Sequence, residues 1–330
     1  MRLINETNSE AELVRLNRDQ DSTAAALIVK SSYTIEGGRC TFSRRQQTIL
    51  REPRDIAGAT FEPERVLKKS GVDIIIVGAA RAPAPGTRMM ALGASVGDWV
   101  RHALVFGDRV WQQRHWRWSA SDPAVFSAMP VTWANAFGGV ARSNGNPSPH
   151  PGNAHGKGYV LDRDERVEGE PLPNIEDPDS LLEQPGQLVE PVGFAPVPSS
   201  SAIRVNAALD DSKVAGVNHS IFNVAHPRHR MHELHGGERC ELFGWVEMAG
   251  DSFELPSDAF VVEVSVAGRR YEVWPRIDTV YILPGTREVI VIQRATFTYQ
   301  YIRTAARVAR LRSVPSTASH YAAGGLDVRG

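Results

Sequence analysis

The sequence predicts a mainly β protein: antiparallel sandwich or barrel-like sheets, long ordered loops and a few short helices. Two observations carry this prediction. β-branched and aromatic runs recur about every ten residues between 240 and 297, parted by Gly or Pro with no helical stretch between them, which favours antiparallel packing over βαβ units. Between Phe106 and Pro178, Gly, Pro and Asn are spaced with little period, yet Trp111, Trp116, Trp118, Phe126, Trp133, Phe137 and Tyr159 fall among them. Disordered chains are poor in aromatics, so this stretch reads as a long ordered loop held by specific turns, a kind of segment that usually serves recognition.

Taken in order, Ala24 to Ile35 reads as one strand that turns at Gly37-Gly38 and returns through Cys40-Thr41-Phe42 as a hairpin. A polar, Pro-containing connection covers residues 43–70. The continuous apolar run from Val72 to Gly78 fits a strand buried on both faces. Arg88 to Val96 and Trp99 to Phe106 form a second hairpin over Gly97-Asp98, and the loop-like segment then runs over 108–200. Ile221 to Ala225 and Cys240 to Val246 follow as strands, then Phe260 to Val266, Arg270 to Trp274, Thr279 to Leu283 and Glu288 to Phe297. Helices are expected over Ala11 to Asn17, Asp122 to Ala128 and Tyr301 to Leu311, and Ser180-Leu181-Leu182 suggests a further helical turn capped by the carboxylates before it. Residues 1–312 read as one large β-rich domain, with any subdivision near 200–215, and 313–330 as a flexible tail.

The chain has 330 residues, 42% hydrophobic and 23% charged, the balance of an ordinary globular protein. Its 37 basic and 38 acidic residues leave a net charge of -1, which draws the molecule as a whole neither to nucleic acid nor to an anionic membrane. Cys40 and Cys240 lack metal-ligand spacing and read as buried thiols of a reducing compartment. The N-terminus lacks the apolar region of a signal peptide and no apolar run reaches membrane length, so the expectation is a cytoplasmic protein.

Few motifs carry chemistry. Gly93-Ala94-Ser95-Val96-Gly97 has the G-x-S-x-G form of a nucleophile elbow, but the elbow needs a strand turning sharply into a helix, and residues 98–105 continue as a strand. Gly152 to Gly158 is one residue short of a Walker A loop and has Gly158 where the magnesium-binding hydroxyl belongs. His226, His229, His232 and His235 recur every third residue, so His229, His232 and His235 are candidates for a zinc site, although Pro227 and Gly236-Gly237 favour a solvated polar loop and the HExxH order is missing. Asp108, Glu176, Asp177 and Asp179, set among Pro and Asn, read as turn acceptors rather than an acid/base pair. Arg303, Arg307 and Arg310 read as the wet side of an amphipathic helix. No cofactor is expected.

Several words in sequence order carry a resemblance. They are Ile28-Val29-Lys30-Ser31-Ser32-Tyr33-Thr34-Ile35, Asp73-Ile74-Ile75-Ile76-Val77-Gly78, Phe106-Gly107-Asp108-Arg109-Val110-Trp111 and Met129 to Gly139. Asn153 to Tyr159, Leu172 to Pro178 and Phe222-Asn223-Val224-Ala225 continue the order. Together they resemble, over nearly the whole chain, the bacterial family known as domain of unknown function twenty-one sixty-nine. The chain departs from the family pattern at Gly193-Phe194-Ala195-Pro196 and in the aromatic-poor stretch to Asn218, which implies an altered surface there. The resemblance implies an accessory protein of type VI secretion, a non-catalytic adaptor or chaperone for a secreted effector or a PAAR-type spike-tip protein. Trp116, Trp118, Trp133 and Phe137 are the expected partner-binding residues, unless they are core. The competing expectation is a metal-dependent hydrolase using the His226–His235 cluster.

Overall fold

The computed structural model describes residues 1–17, 22–56, 58–143, 146–161, 166–201, 204, 219–248, 252–300 and 306–315. The protein is mostly β, with antiparallel and mixed sheets, long loops and, among the described elements, short 3-10 turns as the helical pieces.

The central sheet has seven strands. Their order is Arg230–Met231, Val72–Ile76, Arg276–Leu283, Glu288–Gln300, Ser22–Glu36 and Glu10–Asn17, with Arg39–Phe42 also paired to Ser22–Glu36. Val72–Ile76 and Arg276–Leu283 run parallel and the remaining pairs are antiparallel. Because side chains alternate across a strand, Ile74 and Ile76 enter one core while Ile75 and Val77 enter another on the opposite face. That is why the run from Val72 is apolar throughout.

Two further sheets pack against the central one. A five-stranded antiparallel sheet runs Ile175–Glu176, Trp99–Phe106, Met89–Val96, Arg239–Phe243, Ser252–Glu254. Its Leu92, Ala94, Val96, Val105 and Leu242 meet Tyr33, Ile74, Ile76 and Val280. A four-stranded sheet runs Arg2–Asn5, Arg307–Val314, Ala259–Val266, Arg269–Val273. Its Phe260, Val262, Val264 and Leu311 close over Leu27, Val29, Ala295 and Phe297.

Every helix expected from the sequence that falls on described residues is replaced. Glu10–Asn17 is a strand paired along its length with Ser22–Glu36, and residues 122–127 form no helix before the short strand Ala128–Pro130. Arg307–Val314 fills the slot between Arg2–Asn5 and Ala259–Val266, burying Ala309 and Leu311 at a period of two. The same strand takes Arg307 and Arg310 off any helical face and takes Ser313 and Val314 out of the expected tail; residues 301–305, with Arg303, and 316–330 lie outside the described residues. Pairing on both edges of a strand outweighs the few tenths of a kcal/mol per residue by which Ala, Leu and Arg favour helix. Residues 180–182 form no helix: the turn lies at residues 178–179, closed by the Ser180 amide on the Asp177 carbonyl, and Ile221–Ala225 is replaced by a 3-10 turn over His219–Phe222. The strand begun at Arg239 stops at Phe243, because the left-handed Gly244 diverts the chain and Val246–Met248 forms a 3-10 turn. Among the described residues no helix is long and apolar enough to cross a membrane.

Candidate functional site

The described residues between Gly107 and Ser201 are held by isolated backbone–backbone hydrogen bonds and by side chains bonding to backbone, with ladders of two to four residues between them. Asn174, fully buried, donates from Nδ2 to the Phe106 carbonyl and to Asp108 Oδ1, both at 3.1 Å. Asn153 donates to the carbonyls of Trp133 at 2.7 Å and Phe137 at 3.0 Å. The Gly138 backbone passes so close that a Cβ there would lie 2.0 Å from the Asn153 carbonyl oxygen, so the position admits only glycine. Glu176 pairs with Arg109 in the interior and accepts the Leu182 amide at 2.7 Å. Asp177 accepts the Asp179 amide at 2.9 Å. Asp108, Glu176 and Asp177 therefore serve turns and local order, the role their Pro- and Asn-rich surroundings suggest. The Gly-Lys-Gly word is equally structural: Lys157–Gly158 pairs in parallel with Phe137–Gly138. Ser95 sits inside a continuous antiparallel ladder, opposite Val100 on one side and Glu241 on the other.

On this base stands a small hairpin, Trp111–Arg114 paired with Arg117–Ala120. Trp111 is fully buried with Phe137, Val160, Leu172 and Val189, and Trp118 and Ala120 pack on them half-buried. The two-residue tip is His115-Trp116, with φ of 49° and 63°. Such left-handed pairs make a type I′ turn, for which Asn-Gly is the usual sequence. A tryptophan there costs about 1–2 kcal/mol of backbone strain. The Trp116 side chain is nevertheless 93% exposed and is flanked by exposed Arg114, His115 and Arg117.

The four expected partner-binding residues thus divide. Trp116 projects into solvent and Trp118 is its half-buried support, whereas Trp133 and Phe137 are core residues at 3% and 1% exposure. The indole of Trp133 donates to the Ala195 carbonyl at 2.8 Å and stacks on His226. His229 meets Trp99 edge-on and lies beside Phe194.

The histidines divide as well. Pro227–His229 is a 3-10 turn capped by His226, whose Nδ1 accepts the Arg228 amide at 3.2 Å. In such a turn residues three apart point the same way, which carries both His226 and His229 inward. Burial, reinforced by Arg228, Arg230 and Arg101, pushes His226 down to about 3, and burial holds His229 well below its ordinary value. Both are neutral at pH 7. His232 and His235 are exposed, and His235 Nε2 lies 3.5 Å from Glu233. The expected set of His229, His232 and His235 is therefore split between interior and surface, and among the described residues no group of three or more His, Cys, Asp or Glu stands where it could hold a metal ion. The expected solvated loop is also corrected at two of its four histidines. Pro227, which the sequence suggested as a loop signal, is also the usual first residue of a helical turn, and that is the role it takes after His226.

A family model described as an uncharacterized protein conserved in bacteria, DUF2169, matches residues 20–294. No curated protein matches the chain, and no solved structure does.

Proposed function

This chain belongs to the DUF2169 family of uncharacterized bacterial proteins, and from that premise we propose that it is a non-catalytic adaptor or chaperone, acting in the cytoplasm, that binds a type VI secretion effector or PAAR-type spike-tip protein and helps load it onto the spike. The observation that supports this reading best is Trp116. A bulky residue in a strained left-handed conformation, 93% exposed at the tip of a well-anchored hairpin, is costly to keep unless it meets something. Tryptophan and arginine are the residues most enriched among interface hot spots, and Arg114 and Arg117 flank this one. The partner surface it suits is an apolar pocket with an acidic rim.

The test is co-purification of the tagged chain from its native host under secretion-active conditions, with mass spectrometry of what is retained. The expected result is an effector or spike-tip protein in near-equal amount, lost when Trp116→Ala is used instead. A wild-type protein that comes down alone overturns the reading. The competing proposal, a metal-assisted hydrolase, is decided by metal analysis of protein purified without an affinity tag: stoichiometric zinc bound through His229, His232 or His235 would restore it.

A further inference from the structure

At the turn end of the Trp99–Phe106 strand, against the segment that follows His226, lies an open depression of about 430 Å³. Trp99, Val100, Pro227 and Met231 form its apolar walls, and Arg101 and Arg228 also line it, close enough that burial first and the Arg228 charge second lower the Arg101 pKa. The depression lies outside the hairpin discussed above. The Arg228 carbonyl accepts from both Trp99 Nε1 and Arg101 Nη2, each at 2.9 Å, which fixes the strand and the 3-10 turn to one another. Arg101 also donates to the Val100 carbonyl at 3.0 Å. Its charge thus rests on carbonyl oxygens, and among the described residues no carboxylate pairs with it. Arg228 holds Glu190 at 3.3 Å, with both side chains about half exposed, a contact that contributes little. Arg230, also on the lining, is turned to the Ala225 carbonyl and lies 3.7 Å from Asp73.

Like charges brought together over an apolar floor are unfavourable unless an anion joins them. We infer that this depression binds a carboxylate carried on an apolar group, with the carboxylate between Arg101 and Arg228 and the apolar part against Trp99, Pro227 and Met231. Planar guanidinium groups match the two oxygens of a carboxylate. Asp98 on the lining, Glu190 and the nearby Asp177 offset part of the positive charge, so a monoanion suits the site better than a phosphate dianion. Clefts of a few hundred Å³ take a ligand about the size of one capped amino acid or larger. The end of a polypeptide and an acidic side chain share this chemistry.

Ligand-observed NMR titration of the full chain distinguishes them, using N-acetylleucine, N-acetylglutamate α-amide, N-acetylleucinamide and inorganic phosphate as probes. The expected result is saturable binding of at least one carboxylate, with the uncharged amide and phosphate not competing. The tighter of the two carboxylates names the source. Arg101→Met and Arg228→Met should each weaken binding tenfold or more, and Arg269→Met, on the far four-stranded sheet, should leave it unchanged. Arg228 is exposed enough for its variant to fold even where the Arg101 variant does not. Equal binding by N-acetylleucinamide, preference for phosphate, insensitivity to Arg228→Met, or no saturable binding of either carboxylate would each overturn the proposal.

Discussion

The indole of Trp133 lies on the imidazole of His226 with ring centroids 4.9 Å apart and planes 19° from parallel. This contact ties the long ordered segment to the turn that leads into the edge strand Arg230–Met231 of the central sheet. Burial of that imidazole beside Arg228, Arg230 and Arg101 favours its neutral form, and that preference has consequences in solution.

The first concerns pH. His226 titrates near 3 in the folded protein, against about 6.5 in an unfolded chain. Between those values the unfolded chain holds the proton and the folded one does not. The stability is therefore complete above about pH 6.5 and is lost as pH falls toward about 3, by up to roughly 1.4 kcal/mol per pH unit for each such histidine. Urea midpoints measured from pH 7 to pH 4 should decline steadily, and His226→Phe, which keeps a ring on Trp133, should flatten the decline while His229 retains its share. A midpoint independent of pH across that range would show that His226 is not buried as a neutral ring.

Lys30 and Glu64 form a second buried relationship. The ammonium lies 2.7 and 2.9 Å from the two carboxylate oxygens and donates to the Thr48 carbonyl at 3.0 Å, while Glu64 also accepts the Leu50 amide at 2.8 Å. Burial lowers the Lys30 pKa and the Glu64 carboxylate opposes that shift. Glu64→Ala leaves the ammonium buried without a counter-charge, and should cost about 3–5 kcal/mol. Chemical denaturation of the variant checks this, and Lys30→Met with Glu64→Leu together should recover much of the loss.

Trp116 should separate stability from binding. Trp116→Gly removes the left-handed strain and should raise stability by up to about 1 kcal/mol in thermal unfolding, less what is lost where Gly gains freedom in the unfolded chain. The same variant should release the co-purified partner. A loss larger than the roughly 1 kcal/mol that glycine's freedom in the unfolded chain explains would place the indole in the fold and not at its surface.

Gly138→Ala tests the crossing beneath that hairpin. A Cβ 2.0 Å from the Asn153 carbonyl oxygen forces the backbone apart and breaks the Asn153 bonds to Trp133 and Phe137. The expected cost exceeds about 4 kcal/mol, beyond the range of ordinary substitutions. Circular dichroism and proteolysis of the purified variant give the readout, and a soluble variant with near-normal melting would contradict the packing described.

The strands were legible wherever a pattern repeats within one segment. The run from Val72 announces burial on both faces, and Gly37-Gly38 and Gly97-Asp98 mark turns because few other residues adopt what those turns require. Arg307–Val314 was not legible. Arg-Val-Ala-Arg-Leu-Arg suits a helix as readily as a strand, and its alternation has meaning only in the slot between two partners remote in sequence. The candidate site was legible as a collection of aromatics but not as a surface, since Trp116 and Trp118 stand two residues apart, one in solvent and the other half-buried against the core.

The sequence alone determined the β character, the main hairpins, the order in the aromatic segment and the family, because each depends on local pattern or on words read in order. Tertiary structure decided which tryptophan faces solvent, which histidines are neutral and buried, and which arginines face an open depression. Those outcomes depend on what packs against each side chain, and the packing partners come from strands and turns far apart in the chain, whose positions no local propensity encodes.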